Sequence, residues 1–424
     1  MGVIRLSGPH VRNIAKQLCV NDLPIRQAVY AKFEGANKQI LDTGIAIYFA
    51  APNSFTGEDV LELQGHGGPI IQDLLLKEVI RLGARQARAG EFSERAFLNN
   101  KIDLAQAEAI ADLINSSSAQ AARGAMRSLQ GEFSNKVHEL LTELVHLRMY
   151  VEAAIDFPEE EIDFLADATV QNGIETLQKN LAQTIKTAGQ GRILRNGLHI
   201  VLAGEPNVGK SSLLNALSGD EVAIVTDIAG TTRDTISATI DIDGLPVHII
   251  DTAGLRDSDD AVEKIGIERA HKAIQEADHI LYLLDATQPK QTPTLDTGLA
   301  QTIVFNKIDL LDTPINEPQT QTDQLQISAT QGRGIDQLKE HIKALAGYEN
   351  DGESLFTARR RHLTALELAS VAVTRGLQQL REHNAGELLA DELLQAQNAL
   401  NEITGEFSAD DLLGEIFSGF CIGK

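Results

Sequence analysis

The spacing of apolar side chains changes along this chain, and each change marks a candidate domain. Within residues 1–97, alternation over Gly44–Phe49 and the short run Val60–Leu63 read as strands. Ile71, Leu74, Leu75, Val79 and Leu82 recur three and four apart, which predicts a helix over 70–82. From Glu91 onward the helical period holds. Val137, Leu140, Leu141, Leu144, Val145 and Val151 form one stripe, and Ile174, Leu177, Leu181 and Ile185 form another. Gly189-Gln190-Gly191 is expected to end this part. Strand runs then alternate with amphipathic segments from Leu198 to about Gly347, the pattern of a βα sheet. Helical stripes return in Leu363, Leu366, Val373, Leu377 and Leu380, then in Leu389, Leu393, Ala396, Leu400 and Ile403.

Helical sequence thus flanks the α/β part on both sides. The economical reading is a multidomain chain in which an α/β domain is inserted into one discontinuous helical bundle, because a domain with close termini is accommodated at a surface turn. The expected boundaries are 1–98 for an α/β amino-terminal domain, 99–191 and 351–424 for the two helical parts, and 192–350 for the insert.

Composition narrows the partners. The formal net charge is −23, so the average surface repels nucleic acid, and any RNA contact needs a local basic patch or a basic partner. Only 4% of residues are aromatic and Trp is absent, which argues against broad base-stacking platforms. Two cysteines, Cys19 and Cys421, make no disulfide framework and point to a reducing cytoplasm. No apolar run reaches membrane-spanning length, and Met1–Arg5 is no signal peptide. Leu6 stands where myristoylation needs Ser or Thr. The terminal Cys421-Ile422-Gly423-Lys424 lacks the aliphatic residues of a prenylation signal. His66 reads as a loop or cap histidine, and the acidic run Asp156–Asp163 as a solvated helix junction with Pro158 opening the next helix.

The chemistry lies in the insert. Gly204-x-x-x-x-Gly209-Lys210-Ser211, between the apolar run Leu198–Val201 and Leu213–Leu217, is a phosphate loop. Its glycines turn backbone N–H groups onto phosphates, Lys210 reaches the β/γ-phosphates and the Ser211 hydroxyl ligates Mg²⁺. Asn207, Val208, Gly209, Lys210, Ser211 and Ser212 are its expected contacts. Val247–Ile250 ends in Asp251-Thr252-Ala253-Gly254, where Asp251 holds Mg²⁺ through water and Gly254 offers its N–H to a γ-phosphate. Upstream, Thr231-Thr232 supplies a loop threonine for the Mg²⁺ shell, assigned to Thr232. Thr302–Phe305 leads to Asn306-Lys307-Ile308-Asp309. There Asp309 suits the paired donors of a guanine edge and Asn306 its O6/N7 side, with Ser328-Ala329 backing the base by a main-chain donor. Adenine offers a carboxylate no such pair of donors. The expected ligand is GTP, at the carboxyl ends of the strands.

Leu255 occupies the place where many GTPases orient water with Gln. Glu263, Arg256 and a monovalent cation are the candidates to replace it. The Asn207 amide oxygen is a hard neutral ligand suited to potassium, or else it closes an Asx-turn.

Beyond these motifs, Phe55–Gly68, Gly90–Asn99, Glu152–Pro158 and the terminal Phe420–Lys424 resemble the MnmE (TrmE) family of tRNA-modification GTPases over nearly the whole chain. The resemblance implies a folate-binding, dimerising amino-terminal domain, a helical domain and an inserted Ras-like α/β P-loop GTPase domain. It implies a FAD-dependent partner of the MnmG (GidA) type and joint installation of a carboxymethylaminomethyl- or aminomethyl-type group at C5 of the tRNA wobble uridine, with a tetrahydrofolate derivative as one-carbon donor. It also implies potassium-stimulated hydrolysis between paired G domains. Asn207, Thr226, Ile228 and Thr231 would then ligate K⁺, with Asp227 in the same loop. Glu263 would orient water, and Cys421 would serve modification but not hydrolysis. Members of the family carry a Gly/Arg-rich segment before Val3, and this chain begins within its tail, so an incomplete first strand and altered folate binding and dimerisation are expected. Glu205 stands where relatives carry a basic residue, an extra negative charge expected to weaken nucleotide affinity. A rival class is a GTP-regulated RNA or ribosome assembly factor. Its mark would be an appended basic domain, and residues 353–424 are not strongly basic apart from Arg359–Arg361.

Overall fold

A computed structural model describes residues 1–19, 22–116, 118–156, 168–218, 236–251, 277–288, 299–311, 320–321, 324–346, 356–383, 385–406, 416–417 and 420. They divide into two compact units, one of residues 1–111, 128–178 and 365–424, the other of 112–127 and 179–364.

The first unit opens with β1 (Gly2–Ser7), α1 (Val11–Leu18), β2 (Val29–Glu34), β3 (Ile40–Phe49), β4 (Val60–Gly65) and α2 (Pro69–Arg81). The strands form an antiparallel sheet in the order β1-β4-β3-β2. Leu6, Phe33, Ala46, Leu61 and Leu63 alternate inward and meet Ile14 and Leu18 of α1 and Leu75 and Val79 of α2 in one core. The predicted helix at 70–82 begins one residue earlier, at Pro69, where the missing N–H leaves no bond unmade. His66 follows β4, and its N–H and Nδ1 both meet the buried Asp42 carboxylate, at 2.8 and 2.7 Å. Burial alone would raise the Asp42 pKa, but these bonds, the Thr43 N–H and the His66 charge bring it below the usual value.

Helices α3 (Glu91–Leu98), α4 (Leu104–Ile114), α5 (Ala119–Leu129), α6 (Glu132–Asp156) and α7 (Ala168–Asn196) follow. On α6 the predicted stripe is buried at Val137, Leu140, Leu141, Leu144 and Val151 and half-buried at Val145, and Phe133 extends it at the start of the helix. The carboxyl-terminal helices are Arg360–His383 and Gly386–Thr404, and the second of these packs on α6 and buries Leu389, Leu393, Ala396 and Leu400.

One boundary differs from the expectation. Helix α7 runs without a break through Gly189-Gln190-Gly191 and stops at Asn196, where Gly197 takes φ 77° and caps it. Gly191 is a packing device, since a Cβ there would stand 1.9 Å from the Phe356 carbonyl oxygen. Past Gly197 come β5 (Leu198–Gly204), α8 (Lys210–Ser218), β6 (Ile236–Ile242), β7 (Leu245–Asp251), β8 (His279–Asp285), β9 (Gln301–Asn306), β10 (Thr320–Gln321), β11 (Gln324–Gln326) and α9 (Ile335–Leu345). Their sheet has the order β10-β11-β9-β8-β5-β7-β6 and is parallel from β11 to β7. Central β5 is buried on both faces, with Leu198, Ile200 and Leu202 in one apolar cluster and Val201 and Ala203 in another.

Candidate guanine-nucleotide site

The phosphate loop leaves the carboxyl end of β5, the point where the strand order turns back, and runs into α8. Its conformation explains its residues. Gly204 has φ 143° and Gly209 φ 100°, values that L side chains rarely adopt, and Asn207 takes φ 63°, which Asn tolerates best among ordinary residues. Leu213 and Leu217, one turn apart on α8, are fully buried against the sheet, so the amino end of that helix is fixed behind the loop. Lys210 anchors its ammonium on the loop's own carbonyls, Gly204 O at 2.7 Å and Glu205 O at 3.2 Å. Ser211 and Asn207 are exposed, Ser212 is half-buried and Val208 is buried. In the parallel ladder Asp251 pairs with Leu202, which brings the end of β7 alongside the strand that feeds the loop.

On the base side the expectations need sharpening. Asn306, placed by sequence against the guanine O6/N7 edge, is buried and works first as a brace. Its Nδ2 donates to Val208 O at 2.9 Å, and its Oδ1 accepts from the Ala329 N–H at 3.0 Å. It thereby ties the phosphate loop to the loop after β11, and a Cβ on Gly209 would lie 2.3 Å from its Nδ2. The main-chain donors expected at Ser328 and Ala329 are both engaged within the protein, Ser328 N–H to Arg333 O at 2.9 Å and Ala329 N–H to Asn306. Asp309 sits in a short 3₁₀ turn, Ile308–Leu310, and its Oδ1 is buried with no hydrogen-bond partner among the described residues. Lys307, at φ 67°, salt-bridges Asp285 at 2.7 Å. The Asp285 carboxyl lies below its ordinary pKa. Burial opposes this, but Lys307 and the Thr287 N–H and hydroxyl outweigh it.

Asp285 was not singled out from sequence, although its signal was legible: it ends the apolar run His279–Leu284 just as Asp251 ends Val247–Ile250. Thr226, Asp227, Ile228, Thr231, Thr232, Thr252, Ala253, Gly254, Arg256, Glu263 and Cys421 lie outside the described residues.

The amino-terminal unit holds a cavity of about 660 Å³ beside β1, α1, α2 and α3. Its polar wall is internally neutralised. Glu91 takes Arg85 and the Arg88 N–H, and Arg95 bridges Glu91 and Glu58 at 2.8 Å to each. Hydrogen bonds from Arg85 lead the influences that bring the Glu91 pKa down to about 2, against the cost of its burial.

A phosphate loop at the switch point of a largely parallel sheet, braced by the asparagine of an Asn-Lys-x-Asp turn, defines a Ras-like P-loop guanine-nucleotide-binding protein. The flanking units specify more. The family model for the GTP-binding protein TrmE amino terminus matches residues 1–101, and that for the MnmE helical domain matches 104–421. The chain belongs to the MnmE (TrmE) family. The tRNA modification GTPase MnmE of Pseudomonas fluorescens is 56% identical over 437 aligned residues, covering 100% of this chain and 96% of that one. The corresponding protein of Vibrio cholerae is 54% identical over 440, with the same coverage. Among solved structures, Era of Aquifex aeolicus bound to GDP.AlF4- is 26% identical over 41% of this chain and 65% of its own, with a TM-score of 0.27.

Proposed function

We propose that this chain is a GTP hydrolase whose nucleotide cycle serves modification of tRNA, with a FAD-dependent partner of the MnmG (GidA) type, at C5 of the wobble uridine. The observation that carries the base assignment is the buried Oδ1 of Asp309, which has no hydrogen-bond partner among the described residues. A carboxylate oxygen withdrawn from water requires donors, and the N1–H and N2–H₂ of guanine supply them. One Nδ2 proton of Asn306 braces Val208, and the other is left for the base.

Ser211 and Asp251 suit Mg²⁺, whose charge offsets that of the β/γ-phosphates when bound; both stand at the phosphate end of the sheet. Asn207, with Thr226, Ile228 and Thr231, would hold K⁺, and the exposure of Asn207 at the loop's surface supports this. Thr232 completes the Mg²⁺ set, and Glu263 and Arg256 are the candidates for orienting water where Leu255 replaces Gln. The tetrahydrofolate derivative falls to the amino-terminal unit, whose cavity is of ligand size. The protein works as a homodimer in the cytoplasm. Among the described residues no helix is long and apolar enough to cross a membrane.

The assembly-factor reading separates cleanly from this one. Nucleoside analysis of tRNA from cells lacking the protein should show the wobble uridine without its C5 group, and an unchanged profile would favour the rival. Hydrolysis should be faster in potassium than in sodium chloride, and Asn207→Ala should remove the difference. Equal rates in the two salts for the unaltered protein would refute the potassium role.

A further inference from the structure

The turn Gly65-His66-Gly67-Gly68 joins β4 to α2 in the first unit, and the nucleotide site makes no use of it. Beneath it lies Asp42 of β3, whose side chain is 7% exposed, while the His66 side chain is 78% exposed. The carboxylate accepts three hydrogen bonds. Its Oδ1 takes the Thr43 N–H at 2.7 Å and His66 Nδ1 at 2.7 Å, and its Oδ2 takes the His66 N–H at 2.8 Å. Capping the turn needs only the two main-chain donors, so the bond to the imidazole is something the turn itself does not require.

Glycines make room for this pairing. A Cβ on Gly65 would lie 2.3 Å from Asp42 Oδ2, and one on Gly44 would lie 2.1 Å from the Gln64 carbonyl oxygen, so β3 and β4 close up and the carboxylate fits under the turn. Gly67 and Gly68 then add no side chain after the imidazole. An ionised carboxylate can only accept, so Nδ1 carries the ring proton and the Nε2 lone pair is the one presented to solvent. A buried carboxylate that fixes the tautomer and supports the imidazolium once it forms is how a histidine is oriented for acid–base work. The other paired imidazoles described in this unit are held differently. His138 gives Nδ1 to the Ser134 carbonyl oxygen at 2.7 Å, with the exposed Glu406 3.9 Å from its Nε2, and His383 lies 4.0 Å from the exposed Glu382.

The proposed reaction needs such a group, because installing a carbon at C5 of uridine replaces the C5–H bond and releases its proton. We propose that His66 is the base of that step and Asp42 its positioning residue. Nε2 takes the C5 proton, the electron pair of the C5–H bond stays in the ring, and the imidazolium rests on the Asp42 carboxylate until its proton passes to water. This rests on the reading of the chain as a tRNA-modifying enzyme; the dyad itself stands on the geometry of β3 and the turn.

The test uses the full chain with the proposed flavoprotein partner, tRNA, GTP and the one-carbon donor. It reads modification, GTP hydrolysis and the nitrogen NMR spectrum of the His66 ring. The neutral ring should carry its proton on Nδ1. His66→Ala should cut the modification rate roughly a hundredfold or more, and hydrolysis and the urea midpoint should stay at the unaltered values, since the imidazole is exposed and the main-chain N–H still reaches Asp42. Added imidazole should restore part of the lost rate, which a purely structural role would not allow. Asp42→Asn can donate to Nδ1 as well as accept, so it should shift the ring toward the Nε2–H tautomer and lower modification at least roughly tenfold. A predominant Nε2–H tautomer in the unaltered protein, full modification by His66→Ala, or a deficit that imidazole leaves unchanged would each overturn the role of the dyad. An unaltered protein that modifies no tRNA while keeping the Nδ1–H tautomer would overturn the reading of function, and the base role with it.

Discussion

In the proposed reading the buried Oδ1 of Asp309 selects the base, and its replacement then has a directional outcome. Asp309→Asn exchanges an acceptor for a donor, so GTP affinity should fall by at least roughly tenfold, since hydrogen bonds to a charged group are the stronger kind. Xanthine carries a carbonyl where guanine carries its amino group. The same variant should therefore gain affinity for xanthosine triphosphate, measured by fluorescence titration. Glu91 gives a pH-dependent case. Its pKa is depressed to about 2 from 4.5, so its stabilisation is present above the unfolded value and is lost as pH falls from about 4.5 toward about 2. With Arg85 largely exposed, this is discounted to about 2 kcal/mol. Glu91→Gln should lower stability at pH 7 by that amount and flatten the acid limb of the urea midpoint. Legibility at this scale followed chemistry. The phosphate loop could be read because its glycines and asparagine are demanded by the backbone conformation such a loop adopts. The brace made by Asn306 and the ion pair of Lys307 with Asp285 could not, because both partners are set by strand neighbours distant in sequence.

Among the elements, α7 shows how a glycine misleads when only its local meaning is read. Helix propensity counts Gly189 and Gly191 against continuation, yet the helix crosses both, and Leu194 beyond them is buried. Tertiary packing reverses the local preference, because at Gly191 the helix lies against the backbone of Phe356, the segment by which the chain leaves the insert. The same crossing is clasped by Asp112, nearly fully buried, which receives Arg195 Nε at 2.7 Å from the end of α7 and Arg359 at 2.7 Å from the exit segment. Entry and exit of the α/β domain thus share one carboxylate. Removing one partner of a buried ion pair leaves the others uncompensated, so Asp112→Ala should destabilise the second unit by about 3 kcal/mol. Urea denaturation followed by nucleotide binding measures this, and Asp112→Asn, which keeps a hydrogen-bond acceptor, should cost less. The strand and helix periods themselves were legible, since burial on one face or two imposes them directly.

For the molecule as a whole, charge sets the terms of its encounter with RNA. A protein binds a polyanion chiefly by releasing counterions as its cations neutralise phosphates. Here 37 Lys and Arg stand against 60 Asp and Glu, a formal net charge of −23. Several of the described arginines are already spoken for: Arg95 by Glu58 and Glu91, Arg195 and Arg359 by Asp112, Arg381 by Glu175. With its excess of carboxylates the chain alone repels a tRNA over long range, which slows their approach. Fluorescence anisotropy with labelled tRNA should show weak binding by the isolated protein at physiological salt, with a shallow dependence of affinity on salt. Addition of the proposed flavoprotein partner should raise the affinity and steepen that dependence, if the partner provides the phosphate contacts. Tight binding by this chain alone, with a steep salt dependence, would mean that the chain presents a basic surface of its own, and that the proposed partner is not what brings the tRNA to the GTPase.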